Sequence, residues 1–146
     1  MKLKQLSVFL ENKPGQLSTP VQALADAGIN IVTLSLADTK QFGILRLLVR
    51  NWEKAQQVLE DAGCVVNVTD VVAVDVPDRP GGLAKVLSIV QDAGINVEYM
   101  YAFTSRVGDR AVLVFRFEDL DGAIEVLEDA GMDVVDRVEL YDSLEE

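Results

Sequence analysis

The chain has 146 residues, 49% of them hydrophobic and 25% charged, a balance that supports a packed core in one ordinary domain or two small ones. Its net charge of −11 is spread along the sequence, which disfavours nucleic-acid phosphates and anionic lipid surfaces as partners. With no histidine and one cysteine, Cys64, the chain lacks the parts for Ser-His-Asp or Cys-His chemistry, for an intrachain disulfide, and for histidine- or cysteine-cluster metal sites.

No cofactor and no metal is therefore expected, and Cys64 reads as a small core residue beside the apolar run that starts at Val65. The stretch Met1 to Leu6 has no continuous apolar region of the signal-peptide kind, and no run approaches the ~20 apolar residues of a membrane helix. A cytoplasmic location with no membrane partner is the expectation.

In chain order, a strand is predicted over Leu6–Leu10, followed by a Pro14-Gly15 turn and a helix starting near Gln16 or Leu17. Pro20 is compatible with that start, because N–H groups in a first helical turn have no intrahelical partner. Two strands follow, about Ile29–Ala37 and Gly43–Arg50, the second with Leu45, Leu47 and Val49 alternating as in a half-covered sheet. A second helix carries Ala55, Val58, Leu59 and Ala62, with Asn51 as its N-cap, and a strand over Val65–Thr69 closes the set.

The set then repeats. Lys13-Pro14-Gly15-Gln16-Leu17 returns 66 residues later as Arg79-Pro80-Gly81-Gly82-Leu83, and Asp26-Ala27-Gly28-Ile29-Asn30 as Asp92-Ala93-Gly94-Ile95-Asn96. Val58 to Gly63 returns 68 residues later as Val126 to Gly131, which puts a two-residue insertion around Ser105 to Arg110, where Gly108-Asp109 reads as a hairpin turn. The second copy thus has strands at Val71–Val76, Ile95–Thr104, Ala111–Phe117 and Val134–Tyr141. Its first helix carries the stripe Leu83, Val86, Leu87, Val90, and its second is N-capped by Asp119. All four helices end in Asp-Ala-Gly, with glycine where a left-handed cap is wanted.

The expected fold is α+β: two ferredoxin-like βαββαβ repeats, at 1–69 and 70–146, each an antiparallel sheet with both helices on one face. Sheets this small bury little surface and leave edges open, so the two are expected to pair side by side.

The Pro-Gly turn after strand one and the Gly-Ile-Asn opening strand two resemble the ACT domain, a family of regulatory modules that bind amino acids beside metabolic enzymes. Glu11-Asn12-Lys13-Pro14-Gly15-Gln16-Leu17 and Gly94-Ile95-Asn96-Val97, with Thr104-Ser105, are most similar to the serine-binding regulatory domain of phosphoglycerate dehydrogenases. The resemblance implies effector-holding residues at Asn12 and Asn30 in copy one and at Asp78 and Asn96 in copy two, shared between adjoining domains as Asn12 with Asn96 and Asp78 with Asn30. The position of a histidine that helps bind serine in that family is held by Leu10 and Val76, and Asp78 stands where the turn asparagine belongs.

Elementary chemistry is compatible with this. A helix N-terminus suits a carboxylate, and Gly15, Gly81 and Gly82 allow close approach to the backbone around Gln16, Leu17 and Leu83. An Asn or Asp beside it accepts from an α-ammonium. The same residues also serve ordinary turn chemistry. Tyr99, Tyr101 and Phe103 alternate on one strand face, which suits sheet packing or a ligand surface. The expected function is a stand-alone, non-catalytic, homo-oligomeric sensor of a small amino acid. The alternative is a regulatory or structural subunit of a metabolic enzyme with a degenerate ligand site.

Overall fold

The computed structural model describes residues 2–104 and 108–144. Ser105 to Val107, which hold part of the expected insertion and the end of the strand-two motif, lie outside the described residues. The chain divides into two compact units, Lys4–Thr69 and Asp70–Glu146, the second also taking Met1–Leu3.

In the first unit the elements are β1 (Leu3–Glu11), α1 (Ser18–Asp26), β2 (Thr33–Asp38), β3 (Phe42–Leu48), α2 (Trp52–Asp61) and the start of β4 (Val65–Pro77). Strands lie in the order β2-β3-β1-β4, with Val8 opposite Leu45 and Leu36 opposite Leu45 on antiparallel neighbours. Because strand side chains alternate, Leu6, Val8 and Leu10 share one face with Leu45 and Leu47. That face forms a core with Leu24 of α1 and Ala55 and Leu59 of α2.

The second unit repeats this with the rest of β4, then α3 (Gly82–Asp92), β5 (Val97–Thr104), β6 (Arg110–Phe117), α4 (Leu120–Asp129) and β7 (Asp133–Val135). Its order is β7-β4-β6-β5, and Val74 faces Leu113 as Val8 faces Leu45. Val72, Val74, Val76, Leu113, Phe115 and Phe117 pack on Val86 and Val90 of α3 and Leu127 of α4. The rings of Phe115 and Phe117 stack with centroids 4.9 Å apart. Two ferredoxin-like units, each an antiparallel sheet with its two repeat helices on one face, are thus present.

The helix ends follow the sequence closely. Asn51 accepts from the Lys54 N–H at 3.2 Å and Asp119 from the Gly122 N–H at 3.0 Å, side-chain caps for α2 and α4. Each Asp-Ala-Gly end places its glycine at positive φ: +72° at Gly28, +87° at Gly63, +71° at Gly94 and +78° at Gly131. The following N–H, of Ile29, Cys64, Ile95 or Met132, returns to the carbonyl five residues back, which satisfies a terminal acceptor in each helix. Two of the four terminal aspartates, Asp26 and Asp61, accept from Gln22 and Gln57 one turn earlier, both at 2.8 Å.

Several boundaries differ from expectation, among them that of β2, which starts at Thr33 instead of about Ile29. The strands expected at Val65–Thr69 and Val71–Val76 are one strand, β4, because no Gly or Pro interrupts the run from Val65 to Val76. Helix α1 begins at Ser18, later than expected, with Pro20 buried in its first turn. The final strand stops at Val135 instead of Tyr141, and residues Arg137–Leu144 form a helix, α5. Asp136 causes this: its carboxylate accepts from the Glu139 N–H at 2.8 Å and its carbonyl from the Leu140 N–H at 3.0 Å, an N-cap in an Asp-x-x-Glu pattern. Leu140 and Tyr141 of α5 are buried. Cys64 is partly buried at the rim of the first core, and desolvation pushes its thiol pKa above 9.0.

Candidate ligand-binding site

Both units make the same turn after their first strand. The N–H of Asn12 donates to the Gln41 carbonyl at 2.9 Å and that of Asp78 to the Asp109 carbonyl at 2.7 Å, so each turn is tied to the neighbouring hairpin. Gly15 at φ +86° and Gly81 at φ +95° then reverse the chain into α1 and α3, a conformation that costs L-residues ~1–2 kcal/mol. Neither helix has a side-chain cap at its N-terminus, in contrast to α2 and α4. The N–H groups of Gln16 and Gly82 are already engaged by the Lys13 and Arg79 carbonyls, at 3.3 and 3.2 Å. The backbone anion site expected around these positions therefore cannot draw on those two donors without breaking the turn.

A cleft opens beside each turn. In the second unit it measures about 300 Å³ and is lined by Val76, Asp78, Arg79, Leu83, Ala102 and Phe103, among others. In the first unit the equivalent residues Leu10, Asn12, Lys13, Leu17 and Leu36 line about 70 Å³. The substitution of Leu36 for Ala102 accounts for part of the difference, because the longer side chain occupies the space the alanine leaves. Ligand sites generally measure ~300–1,000 Å³, so only the second unit's cleft reaches that range. It combines an apolar wall with one carboxylate, Asp78, and one guanidinium, Arg79, both on exposed residues.

A second cleft in the same unit, about 370 Å³, lies at the N-terminus of α3. It is bordered by Gly81, Gly82, Arg79, Lys85, Arg110 and Asp133. Arg110 is held there by Asp75, with Nε donating to Oδ1 at 2.9 Å and Nη2 to the Asp75 carbonyl at 3.3 Å. Lys85 and Arg110 were not singled out by the sequence: they come from a helix and a strand distant in the chain, and no motif joins them. Phe103 carried a signal, the alternation with Tyr99 and Tyr101.

The expected site residues are thus brought together only in part. Asp78 and Leu83 share the 300 Å³ cleft, Gly81 and Gly82 border the 370 Å³ one, and Asn12 and Leu17 share the small cleft of the first unit. Gly15 and Gln16 stand at the turn. Asn96 lies in a shallow depression with Leu87, Gln91 and Gly94, at the opposite end of β5 from Phe103, and its carbonyl accepts from the Glu118 N–H at 3.0 Å. Asn30 is exposed just before β2. Among the described residues, none of the clefts above joins the turn residue of either unit to its strand-two asparagine.

The chain is thus a duplicated ferredoxin-like unit with a cleft beside each first turn. The chain belongs to the ACT domain pair family, whose model matches residues 1–144. A solved protein from Bacteroides thetaiotaomicron, BT0572, is 42% identical over 97% of this chain and 96% of its own, with a TM-score of 0.91. The regulatory subunit of aspartate kinase from Thermus thermophilus, in its ligand-free form, shares the fold at 18% identity over 87% of this chain and 91% of its own, with a TM-score of 0.63. That from Thermus flavus does so at 19% identity over 88% and 92%, with a TM-score of 0.61. No curated protein matches the sequence. Among the described residues no helix is long and apolar enough to cross a membrane.

Proposed function

We propose that the chain is a non-catalytic regulatory protein that senses a small amino acid, and that the effector sits in the 300 Å³ cleft of the second unit. The observation that carries this is the duplication of the cleft itself, at the same turn and bounded by equivalent residues, in a chain of the ACT domain pair family. Asp78 accepts from the α-ammonium, Arg79 faces the α-carboxylate, and Leu83, Ala102 and Phe103 contact the side chain. Serine is the first effector to try, on the strength of the motif resemblance. Leu10 and Val76 at the histidine position mean that its hydroxyl is recognised differently here.

The 70 Å³ cleft of the first unit favours a second reading for that unit, a degenerate site whose role is to hold a partner enzyme. Co-purification with an enzyme at fixed stoichiometry supports that role. A thermal-shift screen of the twenty amino acids tests the first reading: one ligand at a hundred times its Kd adds ~2.7 kcal/mol of stability. No shift with any of the twenty removes it.

A further inference from the structure

The two repeats treat the basic residue of their first turn in opposite ways. In the first, Lys13 is paired with Glu11. In the second, Pro77 stands at the place of Glu11, and the side chain of Arg79 meets no acid among the described residues. Lys85, in the first turn of α3, is unpaired in the same sense, whereas its counterpart Thr19 spends its hydroxyl on the Gly15 carbonyl at 3.2 Å. The chain has 24 acids for 13 bases, yet these two bases stand without one, and both border the cleft of about 370 Å³ beside the end of β4.

A third base, Arg110, stands where the first repeat has Phe42. Asp75 holds its guanidinium through Nε and Nη2, at 2.9 and 3.3 Å, and leaves Nη1 for a ligand. Asp75 and its neighbour across the β4–β7 pair, Asp133, are the acids of the border. Three bases against two acids give this cleft a positive excess, in a chain whose net charge is −11. The start of α3 is not what makes the site, because the Gly82 N–H already donates to the Arg79 carbonyl at 3.2 Å. We propose that the cleft binds a small phosphate ester, with its phosphate between Arg79, Lys85 and Arg110 and a hydroxyl of the ester on Asp133. A phosphate monoester offers three terminal oxygens, one for each base, where a carboxylate offers two. Asp133 repels a bare anion but accepts from a hydroxyl, and the cleft falls in the ~300–1,000 Å³ range of ligand sites, which leaves room for carbon atoms beyond the phosphate.

The test is titration calorimetry of the full chain at constant salt, with inorganic phosphate and glycerol 3-phosphate as probes. Both are expected to bind, the ester more tightly. Lys85→Thr, which installs the residue of the first repeat, weakens the ester about tenfold or more, the loss of one charge-assisted hydrogen bond. Lys40→Thr removes the same charge from the turn between β2 and β3 and leaves the affinity unchanged. Asp133→Val, again the residue of the first repeat, tightens inorganic phosphate and narrows the advantage of the ester. No heat from either probe overturns the proposal, as does an affinity that Lys85→Thr leaves intact or that Lys40→Thr lowers equally. Arg79 also borders the 300 Å³ cleft and is therefore kept in every variant. Amino-acid binding is titrated separately, so failure here leaves the effector reading where it stands, and the reverse.

Discussion

Gly81 and Gly82 are adjacent, yet the structure requires each for a different reason, and substitution separates the two. At Gly81 the backbone stands at φ +95°, and an added Cβ meets nothing within 4 Å. The cost of Gly81→Ala is therefore backbone strain alone, ~1–2 kcal/mol. Gly81→Asn recovers part of it, because asparagine tolerates the left-handed region and can cap a helix. At Gly82 the dihedral is ordinary for a helix, but a Cβ falls 2.6 Å from the Pro77 carbonyl oxygen, backbone that cannot rotate aside. Gly82→Ala then costs ~1–3 kcal/mol by overpacking, offset by at most ~1 kcal/mol of helix propensity. Gly82→Asn makes it worse. The first repeat supplies a control, since Gln16 occupies the equivalent position and Gln16→Gly has nothing to relieve. At ~2–4 °C per kcal/mol, thermal denaturation resolves these shifts. The reasoning is refuted if Gly81→Asn is as damaging as Gly81→Ala while Gly82→Ala is neutral.

Removal of either side-chain cap, by Asn51→Ala or Asp119→Ala, is expected to cost ~0.5–2 kcal/mol in urea unfolding; no loss in either would show the observed bonds to be idle. The equivalent core residues Leu59 and Leu127 are both fully buried, and truncation of each to Ala should cost ~2–5 kcal/mol, with a cost below ~1 kcal/mol contradicting the packing described. The raised thiol pKa of Cys64 keeps it protonated to higher pH, so at pH 8 it should react with a thiol reagent more slowly than a free cysteine peptide; equal rates would place it in water.

How far the sequence reached can be seen at particular residues. The duplication was legible because the blocks around Pro14 and Pro80 recur in order, and the caps at Asn51 and Asp119 because capping depends on local chemistry alone. At α5 the two signals conflict: Val134, Val135, Val138 and Leu140 pattern as a strand, and the Asp136–Glu139 capping signal overrides them. The candidate site was legible only as a turn. The 300 Å³ cleft depends on Ala102 against Leu36, a volume difference with no motif, and the 370 Å³ cleft on Lys85 and Arg110, which only the tertiary fold brings near Gly82. The hydrogen bonds that already occupy the Gln16 and Gly82 donors are likewise turn geometry, not composition.

The central claim is that an amino acid binds beside Asp78, and titration calorimetry of the wild type and of Asp78→Ala with the amino acid that most raises the melting temperature, L-serine tried first, tests it most directly. Loss of one charge-assisted hydrogen bond is worth ~1.5–3 kcal/mol, so the account predicts ~10- to 100-fold weaker binding by the variant, with its melting temperature in the absence of ligand unchanged. Equal affinity in the two proteins, or no heat of binding from any of the twenty amino acids, would contradict it.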